Sequence, residues 1–381
     1  MTTTMLASSI TLTETQKNAI SKAVYWFKNE TDTQKIFTVG GYAGTGKTTV
    51  VRSLIEELGI KESRVTYIAF TGKAALQLTR NGNRASTIHR LIYDVKDING
   101  QVRFEKKNKD ALDYDLLVID EVSMVPKDIL EDLKTFDIPI LAIGDHGQLD
   151  PIGETNGLLE HPDVQLTEIH RQAKDNPIIY LSMLARQGKP LPRGALGSEA
   201  FVLPKNDPRV KAEMFLRADQ VLCSYNKTRH QLNMRMRQLL GFPSPSPAVQ
   251  DKIICTKNNW EENIDGMALI NGLIGNIQCV KNSEGSNALN IDFLPEFMEE
   301  PFTELDTLVA PFLGKKVSPA QYRYFNMFDY GYAITTHKSQ GSQWPKVAVQ
   351  YQPMGNKDSQ KKLLYTAITR AQEKLILVLP A

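Results

Sequence analysis

The segment Gly41–Thr48, GYAGTGKT, has the residue types and spacing of a phosphate-binding loop. It follows an apolar β-forming run and precedes Thr49–Leu58, which has the pattern of a helix. Glycines let backbone N–H groups turn inward around phosphates, and the start of a helix adds positive potential. Lys47 is expected to reach the β- and γ-phosphates, and Thr48 to hold Mg²⁺. An ordinary glycine turn is the alternative, which the strand–helix context disfavours. The predicted nucleotide contacts in this segment are Gly41, Ala43, Gly44, Thr45, Gly46, Lys47, Thr48 and Thr49.

Two adjacent carboxylates, Asp120 and Glu121, follow the apolar run Leu116–Ile119. In a nucleoside triphosphatase, one carboxylate at the end of a buried strand holds Mg²⁺, and a neighbouring one can orient and deprotonate water. An acidic pair in this position is also common as a solvated strand end. Because a phosphate-binding loop lies about 70 residues earlier, we favour the catalytic interpretation. The two motifs together predict a magnesium-dependent nucleoside triphosphatase.

Short runs of apolar residues are the candidates for the strands that position these motifs. They lie at residues 36–40, 65–70, 116–120 and 138–144, and recur at 221–225, 347–351 and 375–379. Continuous apolar runs of this kind are typical of parallel strands that are covered by helices on both faces of the sheet. The prediction is an α/β protein with two lobes, residues 1–165 and 166–381.

Two segments interrupt the pattern. Residues 92–107 alternate apolar and polar side chains around Asn99-Gly100, a strong signal for a tight hairpin, so we predict a β-hairpin insertion at about 91–110 in the first lobe. Residues from about 281 to 327 contain scattered Gly, Pro and acidic residues and a strand-like run at 289–293. There we predict a small β-rich insertion in the second lobe.

Composition excludes several classes of protein. The 381 residues include 45 Lys plus Arg and 43 Asp plus Glu, so a net charge of +2 excludes a protein that coats nucleic acid by bulk charge. No run approaches the ~20 apolar residues that cross a bilayer, and the start does not resemble a secretory signal. The three cysteines and six histidines lack metal-ligand spacing. We therefore expect buried cysteines and a reducing compartment, such as a bacterial cytoplasm.

Several further motifs follow one another in order and resemble the full motif series of superfamily 1 DNA helicases, in the RecD-like branch. The resemblance extends from Gln16 to Lys374, and the ordered set is more specific than any of its members. The motifs are LTETQKNAI around Gln16, AFTGKAA at 69–75, STIHRL at 86–91, DEVSM from Asp120, GDHGQLDPIG from Gly144, LTEIHRQA from Leu166, TTHKSQG from Thr335 and LLYTAITRA from Leu363.

The resemblance implies a role for each matching residue of the nucleotide site. Gln16 matches the residue that reads the adenine edge, and Gln148 the one that senses the γ-phosphate. Arg171 and Arg370 match arginines that neutralise charge on that phosphate, a task suited to a planar, permanently charged guanidinium. His170 is a possible adenine-stacking residue. Two further positions complete the comparison: Gly341 matches a glycine at the nucleotide, and Gln343 stands where many relatives have a ribose-binding Glu. The implied catalytic residues are Lys47, Glu121, Gln148, Arg171 and Arg370.

The resemblance also implies a path for single-stranded DNA. Hydroxyls, imidazoles and amides suit contacts to phosphate and sugar that leave the base sequence unread. For both histidines of the set, a hydrogen-bonded place in the core is the alternative. The matching positions are Phe70, Thr71, Lys73, Ser86, Thr87, His89, Thr335 and His337. The aromatic residues between 322 and 332 offer either a base-stacking surface or part of the core, and the core is favoured.

The function implied by the resemblance is an ATP-dependent DNA helicase with two RecA-like lobes, using ATP and Mg²⁺. It would move 5′-to-3′ on single-stranded DNA, act at duplex junctions as a monomer, and work with replication, recombination or repair proteins in a bacterial or phage-infected cell. An RNA helicase and a nucleic-acid-dependent ATPase that remodels complexes without unwinding are the alternatives.

Overall fold

The computed structural model describes residues 12–98, 101–150, 154–168, 175–264, 267–282 and 287–381. The chain forms two compact units. The first consists of Met1–Phe70, Gly82–His146 and Asp150–Asp175, and the second of Thr71–Asn81, Gly147–Leu149 and Asn176–Ala381. The α/β class predicted from the sequence is confirmed, whereas the exact lobe limits, 1–165 and 166–381, stay predictions.

The first part of the chain contains eight described strands and five described helices. The strands are β1 (Ile36–Gly41), β2 (Val65–Ala69), β3 (Ala85–Thr87), β4 (Tyr93–Ile98), β5 (Gln101–Lys106), β6 (Leu116–Ile119), β7 (Ile140–Gly144) and β8 (Val164–Leu166). The helices are α1 (Glu14–Asn29), α2 (Lys47–Leu58), α3 (Gly72–Arg80), α4 (Ile88–Ile92) and α5 (Lys127–Lys134). Of these helices, α3 belongs to the second unit.

A parallel six-stranded sheet forms the centre of the first unit, in the order β3-β2-β6-β7-β1-β8. Helices pack on both faces. Leu116 and Val118 of β6 lie in one core cluster with side chains from α1 and α2, while Leu117 and Ile119 lie in another with side chains from α4 and α5. Burial on both faces explains why the strand reads as a continuous apolar run.

The predicted hairpin strands are β4 and β5, which pair antiparallel from Tyr93 opposite Lys106 to Ile98 opposite Gln101. The turn residues of this hairpin, Asn99 and Gly100, lie outside the described residues. At the base of the hairpin, Phe104 is 48% exposed.

The rest of the chain contains thirteen described strands and five described helices. The strands are β9 (Gly194–Leu196), β10 (Ala200–Pro204), β11 (Gln220–Cys223), β12 (Lys252–Cys255), β13 (Asn259–Ile264), β14 (Met267–Leu269), β15 (Ile274–Asn282), β16 (Ala288–Pro295), β17 (Phe302–Leu308), β18 (Phe328–Tyr330), β19 (Ala333–Thr335), β20 (Trp344–Gln350) and β21 (Ala371–Leu379). The helices are α6 (Pro177–Gln187), α7 (Ala212–Phe215), α8 (Asn226–Leu239), α9 (Pro319–Tyr324) and α10 (Lys357–Ile368).

Two larger sheets form the second unit. One has the order β19-β11-β20-β21-β10-β9 and is parallel except for the edge strand β9. The other is antiparallel, in the order β17-β16-β15-β12-β18. This β-rich part begins at Lys252, earlier than the predicted start near residue 281. The short strand β12 owes its place to pairing with β15 and β18, which local sequence does not reveal.

Cysteines and aromatic residues fill much of the second core. Cys223 and Cys255 are fully buried, as predicted, while Cys279 is partly buried. Phe328 and Tyr330 of β18 are also fully buried, so the core interpretation holds for these two aromatic residues. Among the described residues, no helix is long and apolar enough to cross a membrane.

Candidate functional site

The connection between β1 and α2 forms the predicted phosphate-binding loop. Gly44 and Gly46 have φ values of 79° and 77°, and Gly46 is the residue before the first turn of α2. This left-handed backbone favours glycine. A Cβ on Gly41 would lie 2.7 Å from the Thr45 Oγ1 atom. The loop thus forms a narrow backbone cradle at a helix N-terminus, which is suited to an anion. Ala43 lies in the turn, and Thr49 lies in the first turn of α2.

Lys47 bends back over this loop. Its Nζ donates hydrogen bonds to the carbonyl oxygens of Gly41, at 2.8 Å, and Tyr42, at 3.2 Å. The Thr45 hydroxyl donates to the same Tyr42 carbonyl at 2.8 Å. The ammonium group is therefore held at the loop by neutral acceptors, which a phosphate oxygen would replace with a stronger, charged one.

Gln16 connects α1 to the loop. Its side-chain Oε1 accepts from the Thr13 N–H at 2.9 Å, in a capping box that begins α1, and its Nε2 donates to the Thr45 carbonyl at 3.0 Å. The residue is 1% exposed. The amide of Gln16 thus positions the phosphate-binding loop in addition to its predicted role at the adenine, which stays a prediction.

Asp120 and Glu121 lie directly after β6. The Asp120 N–H donates to the Ile68 carbonyl of β2 at 3.1 Å, and the Asp120 carboxylate accepts from the Glu121 N–H at 2.9 Å. Burial raises the pKa of Asp120, as does the charge of Glu121, whereas Lys47 opposes the rise. Glu121 has a φ of 52°, an unusual conformation for a residue with a side chain. A cation here would relieve the cost of the buried charge.

The donor set fits Mg²⁺ held together with a nucleotide. Thr48 offers a hydroxyl and Asp120 a carboxylate, the hard oxygen ligands that Mg²⁺ prefers, and this ion usually takes few protein ligands beside substrate phosphates and water. Within the described parts of the chain, no three His, Cys, Asp or Glu side chains form a metal cluster. The hydroxyl of Thr48 and the carboxylate of Asp120 thus suit a small ion that is shared with phosphate.

The sequence did not predict a ring contact beside the loop. The rings of Tyr42 and His146 are tilted by 53° to one another with their centroids 4.4 Å apart, and the tyrosine hydroxyl is hydrogen-bonded to the His146 Nε2. Gln165 Nε2, on β8, lies 3.2 Å from the same nitrogen. Because β1 lies between β7 and β8, these three side chains meet at the carboxyl edge of the sheet. The presence of Tyr42 inside the glycine loop was the one feature of the sequence that could have indicated this contact.

In the second unit, the segment that carries Gln148 is bound to α10. The Leu149 N–H donates to the Thr366 hydroxyl at 3.0 Å, and the Leu149 carbonyl accepts from the Gln340 side chain at 2.9 Å. Gln148 is 5% exposed. The residue after the predicted γ-phosphate sensor, Leu149, is therefore fixed through both its N–H and its carbonyl.

Arg370 lies just after α10 and is buried. Its guanidinium donates to the carbonyls of Thr366 and Ser342, each at 3.1 Å, and to the Thr369 hydroxyl at 3.2 Å. It is 2% exposed. Thr366 thus contacts Arg370 through its carbonyl and Leu149 through its hydroxyl. The other two predicted residues, His170 and Arg171, lie outside the described residues.

The residues of the first unit that are predicted to contact nucleic acid make two kinds of contact, hydrogen bonds near the start of α4 and contacts between rings. The Thr87 hydroxyl caps α4 by accepting from the Arg90 N–H at 3.1 Å, and Ser86 donates to the Thr87 carbonyl at 3.3 Å. The rings of Phe70 and His89 lie 5.7 Å apart. Burial lowers the pKa of His89, which favours a neutral ring.

His89 also contacts the hairpin. Its ring centroid lies 5.8 Å from that of Tyr93 and 6.1 Å from that of Phe104. We refer to Phe70, His89, Tyr93 and Phe104 as the hairpin aromatic cluster. The partly exposed His89 and Phe104 give this cluster an accessible edge.

Thr71 and Lys73, predicted to contact DNA, lie at the start of α3. The Thr71 hydroxyl caps the helix by accepting from the Ala74 N–H at 3.2 Å. The Lys73 Nζ lies 4.4 Å from the centroid of the Trp344 ring, and burial lowers its pKa to about 8. Both side chains therefore have structural contacts that nucleic acid would have to share or replace.

Thr335, His337 and Gly341 lie together along one segment. Thr335 ends β19 and is 7% exposed, and burial lowers the pKa of the partly buried His337. Gly341 has a φ of 69°, and a Cβ there would lie 3.1 Å from the Ala74 Cβ. Glycine is needed here both for the backbone conformation and for the close approach.

Two family models match separate parts of the chain. Residues 11–202 match the family model of the AAA domain, and residues 330–378 match that of the UvrD-like helicase C-terminal domain. The chain is 29% identical over 370 residues to the ATP-dependent RecD2 DNA helicase of Deinococcus radiodurans, covering 89% of this chain and 46% of that protein. It is 32% identical over 194 residues to the ATP-dependent DNA helicase dda of Enterobacteria phage T4, covering 47% of this chain and 43% of the phage protein.

The fold is shared with the Pif1 helicase from Bacteroides, solved in complex with ADP-AlF3 and ssDNA. The TM-score is 0.53 at 17% identity, over 97% of this chain and 92% of that one. The chain spans less than half the length of the two curated relatives. The match over residues 11–202, half of the chain, shows that the chain belongs to the AAA-domain family. Its ordered motifs resemble those of the superfamily 1 helicases of the RecD-like branch.

Proposed function

We propose that this chain is an ATP-dependent helicase that moves along single-stranded DNA and separates duplexes. The observation that carries the proposal is the backbone cradle at Gly41–Thr48, with Lys47 bent over it and the partly buried Asp120 close enough for Lys47 to act on its pKa. These groups have the chemistry needed to bind and hydrolyse a nucleoside triphosphate. The relatives named as DNA helicases support DNA as the second substrate.

ATP would supply the phosphates for the cradle, and Thr48 and Asp120 would hold a Mg²⁺ ion that offsets the charge of those phosphates. Glu121 is the proposed base that orients and deprotonates the attacking water. Arg171 and Arg370 are the proposed sources of positive charge for the γ-phosphate, and Gln148 is its proposed sensor. Because Arg370 is held by three acceptors, its guanidinium direction is set before nucleotide arrives.

Single-stranded DNA is the proposed track. Polar side chains such as Ser86 and His337 suit backbone contacts that are made and released in each cycle, in keeping with the low net charge of +2. Travel in the 5′-to-3′ direction is proposed from the branch alone. We further propose that the hairpin β4–β5 separates the strands, with Phe104 providing an exposed ring at its base.

The rate of ATP hydrolysis with and without nucleic acid tests this function. We expect the rate to rise at least about tenfold with a 20-nucleotide dT oligomer and less with the matching U oligomer. Stronger stimulation by RNA would favour an RNA helicase. Stimulation by DNA without strand separation would favour a remodelling ATPase, and no stimulation by either oligomer would refute a nucleic-acid motor.

Deleting Ile98–Gln101 tests the hairpin. Because the deletion lies away from the cradle residues in sequence, we expect strand separation to fall much more than DNA-stimulated ATP hydrolysis. A Phe104→Ala variant keeps the hairpin and removes the exposed ring, so it separates the effect of the ring from that of the turn. Equal loss of both activities in the deletion variant would argue against a strand-separating role.

A further inference from the structure

The helix α9 presents two exposed tyrosines from a firmly held segment. Tyr322 is 47% exposed and Tyr324 is 80% exposed. On either side of the helix, Val317 and Phe325 pack against a small core cluster with Leu308. The rings are therefore presented by a segment that is anchored at both of its ends.

Hydrogen bonds fix both ends of this six-residue helix as well. Ser318 and Gln321 form a complete capping box, with bonds of 3.0 and 3.2 Å between each side chain and the other residue's N–H. At the other end, the Lys257 Nζ donates to the carbonyls of Arg323, at 2.8 Å, and Phe325, at 3.1 Å. Exposed tyrosines on such a rigid support lose little conformational entropy when a flat ligand stacks on them.

The segment that carries these rings has a positive net charge. No Asp or Glu occurs between Asp306 and Asp329, whereas Lys315, Lys316 and Arg323 all lie in this interval and are exposed. The Lys257 ammonium lies 5.5 Å from the centroid of the Tyr322 ring.

A carboxylate on the neighbouring strand β13, Glu261, acts electrostatically on Lys257. Even so, the surface combines stacking rings with cations, in a chain whose charges otherwise nearly cancel.

We infer that α9 and its basic flank form an accessory surface for single-stranded nucleic acid. The surface comprises Lys257, Lys315, Lys316, Tyr322, Arg323 and Tyr324. Bases stack on the two tyrosines while the cations contact the phosphates, a combination that binds strands without reading their sequence. The inference rests on the proposed function, because a helicase on single strands is what would supply this ligand, but it adds a site that the helicase motifs do not contain.

Photocrosslinking tests the stacking directly. An oligomer of dT that contains 5-iododeoxyuridine crosslinks to aromatic side chains that stack on the modified base. We expect a crosslinked peptide that contains Tyr322 or Tyr324, and its loss in the Tyr322→Ala/Tyr324→Ala variant. Crosslinks confined to peptides outside residues 315–325 would overturn the inference.

Affinity measurements give an independent test. By fluorescence anisotropy with a 20-nucleotide dT oligomer, we expect the double tyrosine variant to bind about tenfold more weakly, with Tyr324→Trp retaining affinity. The matched control is Tyr25→Ala, since Tyr25 is 60% exposed but lies between Lys22 and Glu30 at a surface of mixed charge. This control should change affinity by less than about twofold. The logarithm of the binding constant falls linearly with the logarithm of the salt concentration. Replacing both Lys315 and Lys316 with Ala should reduce the magnitude of this slope by about 1.4, or about 0.7 for each lost phosphate contact.

The outcomes separate this inference from the proposed function. If the unmodified protein binds no dT oligomer, the proposed function itself fails. If it binds and the double tyrosine variant binds equally well, the proposed function stands and α9 serves another partner, such as an acidic protein. That second result would overturn the accessory surface.

Discussion

Two strand-to-helix connections, one in each unit, begin from the same architecture and end differently. Both β1 and β11 are parallel strands with a neighbour on each side, and both lead into a helix. After β1, residues 42–46 form an open turn with left-handed glycines. After β11, only Ser224 and Tyr225 precede α8.

Side chains and neighbouring backbone close the connection after β11. The Ser224 hydroxyl accepts from the Gln352 N–H at 2.9 Å, and the Tyr225 hydroxyl donates to the Pro353 carbonyl at 2.7 Å. A parallel strand followed by a helix is therefore insufficient for phosphate binding. The length of the turn and its glycines create the cradle, whereas the second unit offers directed side chains such as Arg370.

Removing the guanidinium of the second unit should have the largest effect. For Arg370→Ala we expect ATP turnover to fall about 10³-fold, as for other arginines that stabilise phosphoryl transfer. Stability should also fall, by about 1–3 kcal/mol, because the Ser342 carbonyl loses the guanidinium donor and the Thr366 carbonyl keeps only the Thr369 hydroxyl. Steady-state kinetics and urea unfolding measure the two losses. Arg370→Lys keeps the charge without the fork and should recover little activity; full activity in either variant would contradict the assigned role.

Removing the cation of the first unit should separate activity from stability. Lys47 contacts carbonyls of a partly exposed loop, so Lys47→Ala should change the free energy of unfolding by less than about 0.5 kcal/mol. Turnover should nevertheless fall by about 10²-fold or more, because the phosphates lose their charged partner. The exposed Lys61→Ala variant is the control. If Lys47→Ala destabilises the protein as strongly as Arg370→Ala, the contrast between the units is wrong.

The two glycines that flank α2 offer a smaller and sharper comparison. Gly46 and Gly59 both have positive φ, 77° and 65°, at opposite ends of the helix. An alanine at either position should cost about 1–2 kcal/mol of stability. Only Gly46→Ala should also weaken nucleotide binding, since Gly46 shapes the cradle. Calorimetric titration with ATP and thermal unfolding measure both effects, and equal nucleotide affinity in the two variants would refute the role of the turn.

Substitution of Asp120 should change the stability of the protein in the opposite direction. Because the pKa of this carboxyl is raised in the folded state, the folded protein binds a proton more readily than the unfolded chain does. Its ionisation therefore costs stability above the unfolded pKa, and this cost disappears as the pH falls below that value.

We accordingly expect Asp120→Asn to stabilise the nucleotide-free protein by on the order of 1 kcal/mol at pH 7 while abolishing ATP hydrolysis. The gain should shrink toward pH 4, as measured by urea unfolding across that range. A variant that is less stable than the parent at pH 7 would show that the Asp120 charge is compensated in the folded state.

The sequence predicts what local patterns encode. The glycine loop and the Leu116–Ile119 strand are contiguous signals, and the structure contains both. The capping box of α1 is also predictable from sequence, since Thr13 and Gln16 have the required residue types and spacing. The contact of Gln16 with the phosphate-binding loop could not be predicted, because its hydrogen bond to Thr45 joins residues 29 positions apart.

Contacts between distant segments account for what was missed. Tyr42 meets His146 only because β1 and β7 pair side by side. Likewise, Lys252–Cys255 becomes a strand because β15 and β18 flank it. The aromatic residues from 322 to 332 divide into a buried and an exposed group, and periodicity within eleven residues could not separate a strand entering the core from the exposed end of α9.

Strand separation of duplexes with a single overhang tests the central claim most directly. With ATP and Mg²⁺, the unmodified protein should separate a duplex that carries a 5′ single-stranded overhang faster than one with a 3′ overhang, and Lys47→Ala should separate neither. A preference for the 3′ overhang would contradict the proposed direction. Stimulated ATP hydrolysis without separation of either substrate would contradict the helicase function itself.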